Sequence, residues 1–204
     1  MTTLLKIVTS LSSAESSRLA ERFTEIWLTS NTSGRVVTRD LAADPVPNLT
    51  AQRFQALNAK PAERTAAQRA VVEFSDALIE ELKSADVIVI EVPISNYSLP
   101  STLRAYIDHV ARAGVTFRNT ATGPEGLIQG KHTYVLTTRG GLPKDAADIQ
   151  TLCLRQILGF IGLNDLRFIH AEDILPQDSE HAQESYSRSL HQSLCGYLHP
   201  RCAG

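Results

Sequence analysis

Five short apolar runs alternate along this chain with segments of helical period, and this alternation constrains the fold more than any other feature. The runs occupy residues 4–9, 36–41, 87–94, 133–138 and 166–171. The most apolar of them, VIVI and YVL, are nearly continuous, which indicates strands that are buried on both faces of a parallel sheet. Because parallel neighbours need right-handed crossover helices, the alternation predicts an open, doubly wound α/β sheet with helices on both faces.

Helical periodicity separates the first three of these strands. A first helix is predicted after Ser12, where Glu15 completes a capping box. Its apolar positions share one face, and they are Leu19, Phe23, Ile26 and Trp27. A second helix is predicted from about Thr65. Its apolar stripe comprises Val71, Phe74, Leu78, Ile79 and Leu82, and its solvated face comprises Arg69, Glu73, Glu80 and Glu81.

Three more helices are predicted along the rest of the chain. The first of them has Pro100 in its first turn and Gly114 as its stop. Its buried positions are expected to be Leu103, Tyr106, Ile107 and Val110. The other two cover residues 147–159 and 179–197. Residues 43–64 contain three prolines and are expected to form an irregular rim, or to contact another subunit, without dividing the chain into domains.

Composition limits the class of protein. A chain of 204 residues with 43% hydrophobic residues suits one globular domain over residues 1–204. The formal net charge of -2 and the scattered basic residues argue against nucleic acid or an anionic membrane as a partner. Three cysteines without a CxxC pair favour a reducing cytoplasm. No signal peptide is evident, and no apolar run approaches the roughly 18 residues of a membrane span.

The candidate site lies in the loops that follow the strands, because ligands of open parallel sheets bind beyond the carboxyl ends of the strands. The loop of residues 9–18 is rich in serine and enters a helix, where free N–H groups and the helix dipole suit a phosphate. Simple N-capping explains the same serines equally well. The glycine patterns GxGxxG and GxxxxGK[ST] are both missing, so neither a dinucleotide fingerprint nor a P-loop is predicted.

Two further loops add the chemistry that a planar heteroaromatic ring needs. After the third strand, Ile94 and Tyr97 offer apolar and aromatic surface, and Asn96 offers a donor and an acceptor. After the fourth strand, Gly140 and Gly141 let the backbone approach a ring closely, although such a pair is also a common turn. Three loops with these properties at one sheet edge fit a mononucleotide with a planar ring, and FMN fits best.

Rival sites are less well supported by the sequence. Four potential soft-metal ligands lie near the end of the chain, at His191, Cys195, His199 and Cys202. Nearby glycine and proline residues argue for a frayed helix there, so no metal site is predicted. His109 is expected on a polar helix face and His170 on the rim, and neither is predicted to be catalytic. A serine hydrolase is not supported, because the chain has no GxSxG elbow.

Longer motifs give the chain a family resemblance. They are RDLAADPVP at 39–47, DVIVIEVPISNY at 86–97, VARAGVTFRNTATGPEGL at 110–127, TTRGG at 137–141 and LGFIGLNDLRFIHAE at 158–172. Over essentially its whole length the chain resembles the FMN-dependent NADH:quinone oxidoreductases, or azoreductases, of the flavodoxin-like superfamily. The resemblance implies a five-stranded sheet of order 2-1-3-4-5 and a homodimer with FMN at the subunit interface.

The resemblance also implies roles for individual residues. The FMN phosphate would be bound by Ser10, Ser16 and Ser17. The flavin ring would be contacted by Ile94, Ser95, Asn96 and Tyr97, and from a second loop by Thr138, Arg139, Gly140 and Gly141. Candidates for the walls of the substrate cleft, within one chain or donated across the interface, would be Phe117, Asn119 and Phe160. No catalytic acid or base is assigned, because solvent is able to provide the protons.

The implied activity is a ping-pong transfer of two electrons. NADH or NADPH would reduce the flavin, and a quinone, azo compound or nitroaromatic compound would then accept the electrons. The family usually has Met-Tyr where this chain has Ile94-Ser95, which is expected to weaken ring stacking by up to about 1 kcal/mol. The alternative is a flavodoxin-type electron carrier or a flavin-binding regulatory module, but a carrier is expected to be more acidic than this nearly neutral chain.

Overall fold

A computed structural model of the protein describes residues 1–9, 15–93, 98–138 and 149–170. Its strands are β1 (Thr3–Val8), β2 (Arg35–Asp40), β3 (Val87–Pro93), β4 (Phe117–Thr120), β5 (Gly123–Gly126), β6 (His132–Thr138) and β7 (Asp165–His170). Its helices are α1 (Glu15–Ser30), α2 (Ala51–Asn58), α3 (Ala66–Ser84), α4 (Ser101–Val110) and α5 (Ile149–Phe160). Five strands form one parallel sheet in the order β2-β1-β3-β6-β7, which confirms the expected order 2-1-3-4-5.

The sheet has a hydrophobic core on each face, as a doubly wound sheet requires. On one face, Val87 and Val89 of β3 pack with α1, whose predicted apolar face of Leu19, Phe23, Ile26 and Trp27 is buried. On the other face, Ile88 and Ile90 of β3 pack with side chains of α3, α4 and α5. Strand β3 is therefore buried on both sides, which confirms the interpretation of its continuous apolar run.

The buried face of α3 differs by one position from the predicted stripe. The helix begins at a complete capping box between Thr65 and Gln68. Val72 and Ser75 face the core, whereas Phe74 keeps 37% of its surface exposed, so the prediction for Val71 and Phe74 was wrong. A buried polar contact explains this difference. The Ser75 hydroxyl donates a hydrogen bond of 2.6 Å to the His109 carbonyl, and this bond fixes the rotation of α3 against α4.

Helix α4 begins one residue later and ends several residues earlier than predicted. Pro100 is the N-cap residue and lies outside the first turn, and the helix stops at Val110, before Gly114. Thr116 ends it, because its hydroxyl donates to the Val110 carbonyl at 2.6 Å and accepts the Arg112 N–H at 2.8 Å. Gly114 has a φ of 75° and serves the turn that follows. The four predicted core positions of α4 are buried.

Two elements are more regular than the sequence suggested. The segment 43–64 contains α2, which is capped by the Thr50 hydroxyl and packs against α3, and a short 3-10 turn at Pro61–Glu63. Strands β4 and β5 form an antiparallel hairpin that the apolar pattern did not reveal.

Helix α5 matches the predicted helix at 147–159, whereas Ser12 and the helix at 179–197 lie outside the described residues. Among the described helices, none has the length and apolarity of a bilayer span.

Candidate functional site

The switch point of the sheet lies between β1 and β3. The chain leaves β1 through α1 to reach β2, and it leaves β2 through α3 to reach β3 on the other side of β1. Helices α1 and α3 consequently cover opposite faces. The crevice that this reversal opens at the carboxyl edge is where an open α/β sheet binds its ligand. The loops singled out in the sequence all start from this edge.

The first turn of α1 is hydrogen-bonded to Glu91, near the end of β3. Glu91 is only 1% exposed, and its Oε1 accepts a hydrogen bond of 2.8 Å from the Ser17 hydroxyl. The Thr9 hydroxyl at the end of β1 donates to the Glu91 backbone carbonyl at 2.8 Å. Both ends of the serine-rich loop are therefore attached to one residue of the central strand. Ser10 lies outside the described residues, and Ser16 is placed in α1 by its backbone alone.

The two predicted ring-binding segments leave the sheet side by side. Pro93, the last residue of β3, is in register with Thr138, the last residue of β6. Residues 94–97 and 139–141 lie outside the described residues, so the structure locates only where these segments begin. On the next strand, His170 ends β7, and its Nδ1 lies 2.6 Å from the Thr137 hydroxyl. The described strand ends thus assemble one continuous edge from β1 to β7.

His109 is buried, so its expected place on a polar helix face was wrong. Its Nε2 lies 3.0 Å from the Pro47 carbonyl, which can only accept, and so Nε2 carries the hydrogen. Its Nδ1 is buried and has no hydrogen-bond partner among the described residues. Burial lowers the pKa of His109, and the charge of Arg53 lowers it further against the opposing effect of the Pro47 bond. His109 therefore ties α4 to the rim.

The motif RDLAADPVP also has a structural role. Arg39 of β2 forms an ion pair with Glu81 of α3, in which Arg39 Nε lies 3.0 Å from Glu81 Oε2. Glu81 was expected on a solvated face, but the pair covers it, because α3 crosses the sheet beside β2. The Glu81 hydrogen bond raises the pKa of Arg39. Asp44 of the same motif binds Arg39 at 3.2 Å, so the motif holds the rim to the sheet.

The candidate substrate residues lie at the opposite edge of the sheet. The rings of Phe117 and Phe160 are 4.2 Å apart, and Asn119 is exposed on the same hairpin. Phe160 ends α5, which runs back from the carboxyl edge, and it precedes the first residue of β7. Since β6 has seven residues, roughly 20 Å separate the two edges. Among the described residues, these aromatic side chains therefore lie far from the strand ends at which the predicted cofactor loops begin.

Two residues of the carboxyl edge escaped the sequence analysis. Glu91 interrupts an apolar run, and an acidic residue in a strand buried on both faces is a usable signal for a role at the strand end. Gln150, the second residue of α5, is buried and donates to the Ser98 carbonyl at this edge. It gives no such signal in the sequence, because a polar residue in a helix is ordinarily exposed. Within the described ranges, no group of three or more metal-ligating side chains occurs, and His191, Cys195, His199 and Cys202 lie outside those ranges.

The chain is similar to known proteins over nearly its full length. The flavodoxin-like fold family matches residues 2–194. An FMN-dependent NADH:quinone oxidoreductase from Cellvibrio japonicus is 47% identical over 197 residues, which cover 95% of this chain and 99% of the relative. A protein of the same name from Yersinia enterocolitica is 43% identical over 182 residues, which cover 88% of this chain and 90% of the relative.

Solved structures share the fold. An azoreductase from Bacillus anthracis superposes with a TM-score of 0.83 at 23% identity, covering 97% of this chain and all of that protein. An FMN-dependent NADH-azoreductase from the same species, solved in complex with FMN, has a TM-score of 0.79 at 22% identity and covers 95% of this chain and 97% of its own. The chain therefore belongs to the flavodoxin-like fold family and, within it, to the FMN-dependent NADH:quinone oxidoreductases.

Proposed function

We propose that the protein is an FMN-dependent oxidoreductase that transfers two electrons from NADH or NADPH to quinones, azo compounds or nitroaromatic compounds in a ping-pong cycle. The observation that carries the proposal is the identity of 47% over 197 residues to a relative named FMN-dependent NADH:quinone oxidoreductase. The sheet order supports it, since flavodoxins with this order bind FMN at the switch point between the first and third strands.

The first turn of α1 fits the phosphate group of FMN. The first-turn N–H groups, which have no acceptor within an α-helix, lie at the carboxyl edge beside the switch point, where the helix dipole favours an anion. Ser10 and Ser16 are the proposed side-chain donors to the phosphate. The Ser17 hydroxyl donates to Glu91, so Ser17 is proposed to contribute through its backbone N–H. Bound at this edge, FMN supplies the group that accepts a hydride and passes two electrons on.

Residues 94–97 and 138–141 are proposed to hold the flavin ring. The register of Pro93 with Thr138 starts the two segments from neighbouring positions, so that together they span one side of a planar ligand. Asn96 would hydrogen-bond the ring edge, and Tyr97 would cover an apolar part of it. The backbone at Gly140 and Gly141 would approach the ring without an intervening side chain. These groups orient the ring and exclude water from one side of it.

A homodimer completes the proposed site. Phe117, Asn119 and Phe160 lie at the amino edge of the sheet, roughly 20 Å from the strand ends at which the proposed cofactor loops begin. A second copy of the chain would bring its amino edge over the ring, and the two sites of a symmetric dimer would then be equivalent. The rings of Phe117 and Phe160, tilted by 45° to each other, offer an aromatic wall that suits a quinone or an azo dye.

The test is reduction by NADH in a stopped-flow instrument. Purified protein loaded with FMN should lose its absorbance at about 450 nm when NADH is added and regain it when a quinone follows. An electron carrier would keep the oxidised spectrum with NADH and become reduced only by a protein partner. Protein that takes up no FMN under any condition would overturn the proposal. Running the assay with NADPH, and with quinones, azo dyes and nitroaromatic compounds, would define the donor and the acceptor.

A further inference from the structure

Gln150 makes an unusual contact at the base of the first ring-binding segment. It is the second residue of α5 and is only 5% exposed. Its side-chain nitrogen Nε2 donates a hydrogen bond of 3.1 Å to the Ser98 carbonyl. The same nitrogen lies 3.4 Å from the Pro93 carbonyl, a longer and weaker contact. One buried amide group thus contacts both ends of the segment that runs from Pro93 to Ser98.

The position of this contact links the two proposed ring segments. Pro93 ends β3 and Ser98 precedes α4, so the two carbonyls mark the ends of residues 94–97. Gln150 itself follows the second segment, which starts from Thr138 at the end of β6. The two residues that flank the first segment therefore meet the helix that follows the second segment at one side chain. A shift of the Gln150 side chain would therefore change the distance between Pro93 and Ser98.

Only an amide side chain suits this position. A glutamine nitrogen carries two hydrogens, so it is able to satisfy two carbonyl oxygens at once. Methionine has nearly the same length and volume, but it would leave two carbonyls without that donor. Glutamate has the same shape, yet it would direct an acceptor oxygen at two acceptors. Because the site is buried, water does not readily replace the missing donor.

We propose that Gln150 is a positioning residue of the flavin site, which fixes the distance between Pro93 and Ser98 and thereby sets the ring-binding segment between them. The inference rests on the proposed FMN site for its functional consequence. Its structural part stands on the two contacts alone. Gln150 acts through the backbone of its neighbours and is not proposed to touch the substrate.

The structural part is tested without cofactor, by hydrogen exchange of the FMN-free protein. In Gln150→Met, the amides of the peptide that spans residues 93–99 should exchange about fivefold to tenfold faster than in the wild type, as expected from the loss of a buried hydrogen bond. Gln156 is exposed on the same helix, so Gln156→Met is the matched control and should change nothing. Unchanged exchange in Gln150→Met would overturn the proposal. If that variant does not fold, Gln150→Asn takes its place, because it keeps a neutral amide that is one methylene too short to reach both carbonyls.

The functional part is tested by comparing FMN with riboflavin, which carries the same ring without a phosphate. Gln150→Met should weaken the binding of both ligands by the same factor, about fivefold to tenfold, because the ring contact is affected. Ser16→Ala should weaken FMN binding and leave riboflavin binding unchanged. Loss confined to FMN in Gln150→Met, or no loss at all, would refute the positioning role. Wild-type protein that binds neither ligand would refute the proposed function, and hydrogen exchange would still decide on Gln150.

Discussion

The hydrogen bond between Ser17 and Glu91 stabilises the edge at which the proposed phosphate site lies. Its acceptor is buried, so Ser17→Ala should lower the free energy of unfolding by about 1–3 kcal/mol, the usual cost of a buried polar atom that loses its partner. Urea unfolding measures this loss. Ser30→Ala, at the exposed end of the same helix, should change the free energy of unfolding by less than about 0.5 kcal/mol. Equal effects of the two substitutions would show that the Ser17–Glu91 hydrogen bond does not contribute the predicted stability.

His109 makes stability depend on pH. Burial, together with Arg53, lowers its pKa in the folded protein, whereas the unfolded chain keeps a value of about 6.5. Between these two pKa values the unfolded state binds more protons, so the free energy of unfolding rises with pH in this window. The contribution of His109 is therefore complete above about pH 6.5 and is lost as the pH falls through the lowered pKa. Urea unfolding at a series of pH values measures this dependence.

His109→Gln is the control for this prediction. Glutamine keeps a side-chain N–H that is able to donate to the Pro47 carbonyl, but it does not titrate. The variant should retain the rim contact and lose the part of the pH dependence that lies below about pH 6.5. The same slope in the variant and the wild type would show that another group causes it. The sequence did not reveal this residue, because the burial of His109 depends on a rim segment 62 positions earlier.

At the scale of elements, the β4–β5 hairpin is held by close backbone packing. A Cβ atom built on Gly126 would lie 2.1 Å from the Gly162 nitrogen, so a side chain there would force the hairpin away from the turn after α5. Gly126→Ala should therefore lower the free energy of unfolding by about 1–3 kcal/mol. The shift of the urea unfolding midpoint at constant slope measures it. The hairpin carries Phe117, so the same variant should also reduce quinone turnover.

Gly159→Ala is the matched control, because Gly159 lies in α5 just before the turn that Gly126 contacts. Gly159 lies inside α5, and its nearest neighbour would be 3.7 Å from the added Cβ atom, an ordinary contact. Alanine is favoured over glycine within a helix, so this variant should gain about 0.5–1 kcal/mol. A loss in Gly159→Ala of the size expected for Gly126→Ala would mean that crowding at Gly126 is not the cause.

The elements differ in how far the sequence predicts them. Strands β1, β2, β3, β6 and β7 follow from local pattern, because short runs rich in branched residues favour strands, and burial on both faces makes the run of β3 continuous. The hairpin does not, because GPEG has little intrinsic preference for a strand and is held by the Gly126–Gly162 approach and the hydrogen bond of 2.9 Å from Ile128 to the Ile161 carbonyl. The rotation of α3 was mispredicted for a similar reason. Its face is fixed by the buried Ser75 hydroxyl, which a count of apolar residues ignores.

At the scale of the whole molecule, the chain order separates the two halves of the proposed site. The sequence places the cofactor loops at the carboxyl edge, because every parallel strand ends there. Phe117, Asn119 and Phe160 were assigned through family resemblance, and their place at the amino edge becomes visible only when α5 is traced back along the sheet. If both groups belong to one site, that site requires two chains, so the proposal predicts that activity depends on dimerisation.

Mixed dimers test this requirement. Phe160→Ala leaves the cofactor loops intact but removes an aromatic wall, and Gly141→Leu leaves the wall intact but blocks the close approach of the backbone to the ring. Each variant alone should reduce azo dye or quinone turnover. Equal amounts refolded together give about half heterodimers, each with one complete site of two, so turnover should recover to about a quarter of the wild-type rate. No recovery would place Phe160 and the loops of one chain in the same site, contrary to the path of α5.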